Sequence, residues 1–294
     1  MTRLPLTVLI HTLNEANQIE DCLRSVEWAD EIYLLDSFST DDTLEVVRRT
    51  FPDVRIELRE SLGSAAQKNY GMDRASHDWI LVIDADERAT PELRDEVLEV
   101  LSGKPDRWGF RINRRNLVLG KTMNWGLLRW DHVNRLFHRK HARYPNRRVH
   151  AELIVDGPTG TLTNPLTHYY VRSFQHMANK MERYGRWSAA QMYLEGKTSG
   201  PLQIIINPLW RFLREYVVLA GFLDGVAGLG VAVMHAFYTF QKHLNLWEYR
   251  RLAAQGAPVP LPKLDQDEDR WKRPWETSRE SRSSSASAPV GDPA

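Results

Sequence analysis

The sequence predicts an α/β protein built on a Rossmann-like, mostly parallel, doubly wound sheet with flanking helices, followed by an apolar helical region. Three observations carry that expectation. Strand-like and helix-like patterns alternate through the first hundred residues. Three apolar runs each end abruptly in polar or acidic residues, as strands do at the ligand-binding edge of such a sheet. From about residue 173 the chain is helical in pattern and increasingly apolar. The expected division is 1–172, 173–250 and a tail at 251–294.

The elements follow in order. "LTVLIHT" is β-branched and apolar, a first strand. After it, Ile19, Cys22, Leu23 and Val26 fall on one helical face. "EIYLLD" is a second strand, closed by the polar loop "SFSTDDT" and the helix "LEVVRRTF". "VRIELRE" is a weaker third strand, and "SAAQKNYGMDRAS" a helix. "WILVID" is a buried fourth strand, after which Thr90-Pro91 makes a cap and first turn for "ELRDEVLEVL". Strand–helix alternation implies right-handed crossovers and a parallel sheet. Beyond it, "WGFRINRRNLVLG" and "AELIVDG" read as strands, with the basic stretch "RLFHRKHARYPNRRVH" between them as a loop. The tail, ending "SRESRSSSASAPVGDPA", is too polar to bury a core and is expected to be disordered.

Composition excludes some classes. The 294 residues carry a formal net charge of +1, so bulk electrostatic capture of nucleic acid is not expected. One cysteine, Cys22, leaves no internal disulfide and fits a reducing compartment. The apolar run near the N-terminus is too short for a signal-peptide core and reads as a strand.

The sharpest feature is the acidic end of the fourth strand: Asp84, Asp86 and Glu87 directly follow a core run. Unpaired charge there is costly, so something cationic should meet it. In strand geometry Asp84 and Asp86 would point to one side, about 6–7 Å apart. Two hard carboxylates suit Mg²⁺ or Mn²⁺, which share their remaining positions with water and phosphate. At an effective dielectric near 20, unit charges 4 Å apart attract by about 4 kcal/mol. A divalent ion between carboxylates and a diphosphate would therefore offset much of the desolvation cost. The plain alternative is an acidic loop in which Asp86 and Glu87 merely favour a helix N-terminus. Asn14-Glu15 and Asp36, at two neighbouring strand ends, weigh toward the metal and nucleotide reading.

Four stretches, "TVLIHTLNEANQIEDCLRSV", "IYLLDSFSTDDTLEVV", "AAQKNYGMDRASHDWILVIDADE" and "NRLFHRKHARYPNRRVHAEL", resemble in order the blocks of glycosyltransferase family 2. The resemblance is closest to the bacterial lipopolysaccharide-core and exopolysaccharide branch and covers about residues 5–245. It implies an A-type glycosyltransferase fold, a divalent metal, a nucleotide-diphospho-sugar donor, UDP-linked by expectation, and inversion at the anomeric carbon. It also implies roles for individual residues. Asn14 and Glu15 would meet the nucleotide, Asp36 the base, and Lys68 and Asn69 the ribose and phosphates. Asp84 and Asp86 form the D-x-D pair, with Asp86 as the direct metal ligand. The chain departs from the family in having "DSFSTDD" for the commoner "DDGS", and in placing Ala151 between His150 and Glu152.

An inverting transfer needs a base for the acceptor hydroxyl and positive charge on the leaving diphosphate. Asp131, His150 and Glu152 are the candidates for the base, and His150 is equally a candidate for completing the metal site. A zinc reading of His138, His141 and His150 lacks a fourth ligand. The cations around them are expected either to be solvated or to face phosphate, and Arg135, beside Leu136-Phe137, is the one assigned to the nucleotide-sugar.

In "LQIIINPLWRFLREYVVLAGFLDGVAGLGVAVMHAFYTF", residues 216–234 approach bilayer-spanning length. The insertion balance is marginal: eight apolar residues at about −0.5 kcal/mol each against about 3 for Asp224. Flanking Trp210, Arg211, Arg214, Trp247, Arg250 and Arg251 suit an interfacial or re-entrant helical pair bent at "GFLDG". The other possibility is a hairpin buried on the catalytic domain or a second subunit. The expectation is a peripheral or monotopic enzyme at the cytoplasmic face of the inner membrane, acting on a lipid-linked or polysaccharide acceptor. Two other readings are a sugar-nucleotide pyrophosphorylase, disfavoured because "HTLNEANQ" is neither Gly-rich nor basic, and a non-catalytic membrane-docked scaffold.

Overall fold

The computed structural model describes residues 3–103, 105–145 and 152–262. Its first half is the predicted alternation: β1 (Leu6–Thr12), α1 (Ala16–Arg24), β2 (Glu31–Asp36), α2 (Thr43–Thr50), β3 (Arg55–Leu58), α3 (Ser64–Arg74) and β4 (Trp79–Asp84). A short β5 (Glu87–Ala89) precedes α4 (Pro91–Ser102). Then come β6 (Gly109–Val118), β7 (Lys121–Thr122), β8 (His132–His138), β9 (Ala142–Arg143), β10 (Ile154–Val155), β11 (Thr159–Thr161) and β12 (Leu166–Val171). Three helices finish the described chain: α5 (Phe174–Leu194), α6 (Pro201–Leu213) and α7 (Gly225–Ala254).

The main sheet runs β3-β2-β1-β4-β8-β6-β12-β5, with β7 and β11 also paired to β6. The first four strands are parallel, while β8 is antiparallel to both β4 and β6. The fold is thus an A-type glycosyltransferase-like mixed sheet with flanking helices. Period-two alternation explains the layers. Leu6, Val8 and Ile10 of β1 face Ile19 and Leu23 of α1 and Leu93 and Val97 of α4. Leu9 faces the other way, into a cluster with Leu35, Ile80, Val82, Phe137 and Met72 of α3. Each fully buried aliphatic side chain contributes about 1.5–3 kcal/mol. At Gly71 a Cβ would lie 2.5 Å from Leu9 Cδ1, so only glycine lets α3 approach β1 this closely.

Registers assemble the site. Thr12 pairs with Asp36 and His11 with Asp84, so the ends of β1, β2 and β4 are level. Antiparallel β8, with Leu81 opposite Leu136, carries Arg135 toward the carboxyl end of β4. The cap on α4 is as expected, Thr90 Oγ1 accepting from Leu93 N at 3.2 Å.

Several expectations need correction. The basic stretch is not simply a loop: its first part is the end of core strand β8, because Leu136 and Phe137 are apolar enough to be buried. Among the described residues of "AELIVDG", only Ile154–Val155 is strand. Asp86 and Glu87 do not sit at a helix N-terminus: Asp86 lies in the turn after β4, and Glu87 is buried in β5. Residues 216–234 are not one helix, since a π-turn at Arg214–Val218 and a 3₁₀ turn at Gly221–Asp224 break them. The tail begins later than 251: α7 runs to Ala254, and Val259 and Leu261 pack beside Ala189 and Tyr249. The rest of the tail expectation, over 263–294, falls outside the described residues.

Candidate active site

The acids at the end of β4 are met by the protein's own cations. Arg135 Nη2 donates at 2.5 Å to both Asp84 Oδ2 and Glu87 Oε1. Glu87 Oε1 also accepts from Arg114 at 3.2 Å, and Arg114 Nη2 donates to Asp131 Oδ1 at 2.8 Å. Asp131 Oδ2 accepts from Asn116 Nδ2 at 3.1 Å. Asn116 Oδ1 lies 2.6 Å from His168 Nδ1, and His168 Nε2 lies 3.5 Å from Asp86 Oδ2. A polar circuit therefore runs from Asp84 through β8, β6 and β12 back to Asp86. Lys180 of α5, 3.7 Å from Asp86, and Lys68 of α3, 3.4 Å from Asp84, add charge from two further elements.

Burial opposes every charge here, and the partners reverse it at Asp84, Asp86 and Lys180 but not at Lys68, His11 or Glu15. Asp84 is held well below the usual carboxylate range by Arg135, Lys68 and His11 despite burial. Asp86 is likewise held low, against burial, by His168 and Lys180. Burial disfavours the Lys180 charge, but Asp86 more than restores it and its pKa is raised. Burial wins at Lys68, whose pKa is lowered although Asp84 supports the charge, and at His11, pushed down to about 4. Burial also raises Glu15, which Arg172 at 2.8 Å only partly offsets. The result is a site whose two strand-end acids, Asp84 and Asp86, stay ionised, each paired with cationic or imidazole groups on other elements.

The predicted residues fall into two groups. Asp84, Asp86, Lys68, Arg135 and Asp131 are brought together in this cluster, with Glu15 close enough to feel Asp86. Asn14, Asp36 and Asn69 shape loops instead. Asn14, at φ 57°, accepts from Thr40 N at 2.8 Å and so ties the loop after β1 to the loop after β2. Asp36 is fully buried and accepts from Ser39 N and Oγ, which fixes the loop after β2. Asn69 is fully buried as well, its amide gripping both backbone groups of Tyr144 at 2.9 and 3.0 Å. It thereby holds Tyr144 beside Lys68. Glu152 is exposed, and among the described residues no hydrogen bond or ion pair joins it to the circuit. His150 lies outside the described residues.

Sequence reasoning missed Arg114, Asn116, His168, Lys180 and Arg172. Arg114 and Asn116 alternate on one face of β6, and His168 stands in an otherwise strand-like run; that periodicity was the available signal. Among the described residues, the other Arg and Lys side chains of the basic stretch are engaged. Arg139 and Lys140 bind Asp78 at 2.9 and 2.7 Å, and Arg143 binds Asp73 at 2.5 Å. His138 and His141 pack with Trp108 rather than ligating, His141 stacked on its ring.

The residues fit a divalent cation. Asp84 Oδ1 is buried without a hydrogen-bond partner, and Asp86 Oδ2 has only ion-pair neighbours beyond 3.4 Å. Both are hard oxygen donors. Among the described residues no group of three or more His, Cys, Asp or Glu forms a closed cage, so water and a bound phosphate would complete the shell.

Residues 7–150 match the sequence model of Glycosyl transferase family 2. Over that stretch, just under half of its length, the chain is similar to that family. The glycosyltransferase is 29% identical over 253 residues to the lipopolysaccharide core biosynthesis glycosyltransferase LpsC of Rhizobium meliloti (strain 1021), covering 82% of this chain and 94% of the relative. Among solved structures it is similar to the mannosyltransferase PcManGT from Pyrobaculum calidifontis in complex with GDP-Man and Mn²⁺. That match has 17% identity and a TM-score of 0.43 over 87% of this chain and 89% of the other. Glucosyl-3-phosphoglycerate synthase from Mycobacterium tuberculosis, in complex with Mn²⁺, uridine-diphosphate and glucosyl-3-phosphoglycerate, matches at 24% identity and a TM-score of 0.32. The match covers 39% of this glycosyltransferase and 44% of the synthase, less than half of its length.

Proposed function

We propose that this glycosyltransferase moves a sugar, with inversion, from a nucleoside-diphospho-sugar, UDP-linked, to a lipid-linked or lipopolysaccharide/exopolysaccharide glycan. The observation that carries this reading is the circuit of ionised acids and cations at the level ends of β1 and β4. Asp84 and Asp86 hold a Mg²⁺ or Mn²⁺ ion, which when bound neutralises the diphosphate. Lys68, largely buried beside Asp84, presents its ammonium to the same phosphates. Phe38, exposed and held at φ 64° in the loop after β2, offers a face on which a nucleobase can stack. Asp131 is the base, because among the described candidates only it joins the circuit and keeps solvent access. Burial raises its pKa, but Arg114 and Asn116 outweigh that and keep it ionised, the form that accepts a proton from the acceptor hydroxyl. The likeness to the family and to the core glycosyltransferase supports the acceptor class.

Residues 173–250 attach the enzyme to the cytoplasmic face of the membrane. α6 buries none of its side chains: Leu202, Ile205, Leu209 and Trp210 are all exposed, and Phe222, Leu223 and Val226 continue the surface round the bend. Such a surface is far larger than water tolerates. The segment Gly221–Ala254 has the length and mean hydropathy, 1.3, to cross a bilayer. Yet Val231, His235, Thr239, His243 and Leu246 form one buried stripe along α7, which packs on α5 and α6; that supports an interfacial rather than a spanning placement.

Calorimetry with UDP, with and without Mn²⁺, tests the donor site. Metal-dependent binding to wild type that Asp86→Ala abolishes is expected, and Asp131→Asn should keep that binding while losing transfer. Wild type that binds no nucleoside diphosphate in the presence of metal would end the reading.

A further inference from the structure

Beside the acidic circuit lies a second cavity, of about 480 Å³, within the range that small ligands occupy. Its rim is an aromatic–cation stack. Arg129 Cζ stands 5.1 Å from the Trp125 ring centre and 4.8 Å from that of Trp130, and both indoles are exposed. Arg115, Asn113 and His132 line its wall. No carboxylate lines it, and among the described residues neither Arg115 nor Arg129 has an acidic partner. Elsewhere around the site the arginines are paired, so two unpaired guanidiniums in one cavity mark a place for an anion.

The cavity is coupled to the site at one end and to the apolar hairpin at the other. Arg114 lines it while holding Asp131, which follows Trp130 directly in the chain. Asn116 Nδ2 donates to Leu128 O at 2.8 Å, fixing the 3₁₀ turn Leu127–Arg129 to the circuit. On the other side, Asp224 at the hairpin bend accepts from Asn124 N and Trp125 N at 3.1 and 2.9 Å, and Gly126 N donates to Leu219 O at 2.9 Å. The carboxylate counted as a cost of membrane insertion is instead a clasp between the bend and this loop.

We infer that the cavity walled by Arg115, Arg129, Trp125 and Trp130 is an acceptor subsite for a sugar residue carrying a carboxylate or a phosphate. This rests on the glycosyltransferase reading and names the chemistry of its acceptor. An indole takes the apolar face of a pyranose ring, and a guanidinium takes the anion in bidentate fashion. Held by Asp224, the platform stands beside the exposed apolar bend, where the glycan of a lipid-anchored acceptor would present itself.

The test is a tryptophan-fluorescence titration of the full chain with glucuronic acid, glucose 6-phosphate and glucose at constant ionic strength, with and without UDP and Mn²⁺. At least one anionic sugar should bind about ten-fold more tightly than glucose, as expected for a charge-assisted contact. The better of the two identifies the anion as carboxylate or phosphate. Trp130→Phe should remove most of the signal. Arg115→Ala with Arg129→Ala should reduce the preference to within about two-fold, with UDP affinity unchanged. If glucose binds as tightly as both anions, or the preference survives the double substitution while UDP still binds, the subsite is overturned and the donor reading stands. If UDP fails to bind wild type, the donor reading falls, and the nucleotide-free titration still decides the cavity.

Discussion

The end of β4 and the hairpin formed by α6 and α7 handle mismatched chemistry in opposite ways. At β4, charge is taken out of water, and cations from α3, β6, β8 and α5 answer it within the same chain. At the hairpin, apolar surface is left in water, and no element of the described chain covers it. The first balances its acids within the chain save for Asp84 Oδ1, which stays without a hydrogen-bond partner; the second leaves favourable burial unmade. Physical chemistry tolerates neither without a partner. The acids have theirs built in, whereas the apolar face needs one from outside. Asp224 belongs to both regions, a buried acid on the hairpin satisfied by backbone amides of the loop Asn124–Trp125.

The contrast can be broken at each region. Arg135→Leu leaves Asp84 and Glu87 buried without their shared partner and should cost about 3–5 kcal/mol in urea unfolding; a variant as stable as wild type would mean the circuit is not what balances these charges. Asp86→Ala should keep the fold yet lower transfer about 10²–10³-fold, and removal of divalent ions by chelation should mimic it. Ile205→Glu with Leu209→Glu should leave nucleotide binding intact but weaken association with anionic lipid vesicles about 10²-fold, as sedimentation would show. Asp224→Ala should lower stability by about 1.5–3 kcal/mol, and a measured Tm unchanged from wild type would detach the hairpin from the catalytic loop. The smallest effect is none. Burial on the inner face of α1 pushes the Cys22 thiol up to about 12, so a thiol reagent should label it only after unfolding.

Much of the parallel half was readable from residues alone. β1, β2 and β4 are marked by β-branched runs whose alternation sorts Leu6, Val8 and Ile10 from Leu9, and Thr90-Pro91 announces α4. The later strands were harder because their residues are charged. Arg114 and Asn116 carry no local signal beyond their alternation until Glu87, Asp131 and His168 supply their partners, and Arg135, assigned to the nucleotide-sugar, is met by Asp84 and Glu87. Asp36 and Asn69 stand in the family's blocks, and they also make contacts that no spacing argument reveals: Asp36 binds Ser39 in its own loop, and Asn69 binds Tyr144, 75 residues away.

By itself the sequence determined the α/β order, the family likeness, the acidic end of β4 and the apolar character of the last helices, since these follow from local periodicity and short motifs. Only the tertiary structure decided which cations answer which acids, that Asp131 rather than Glu152 joins them, and that Asp224 is a clasp. Those facts depend on contacts between residues fifty to a hundred positions apart, for example Asp84 with Arg135 and Trp125 with Asp224. Strand register and helix packing bring such pairs together, and neither is written in any one stretch of chain.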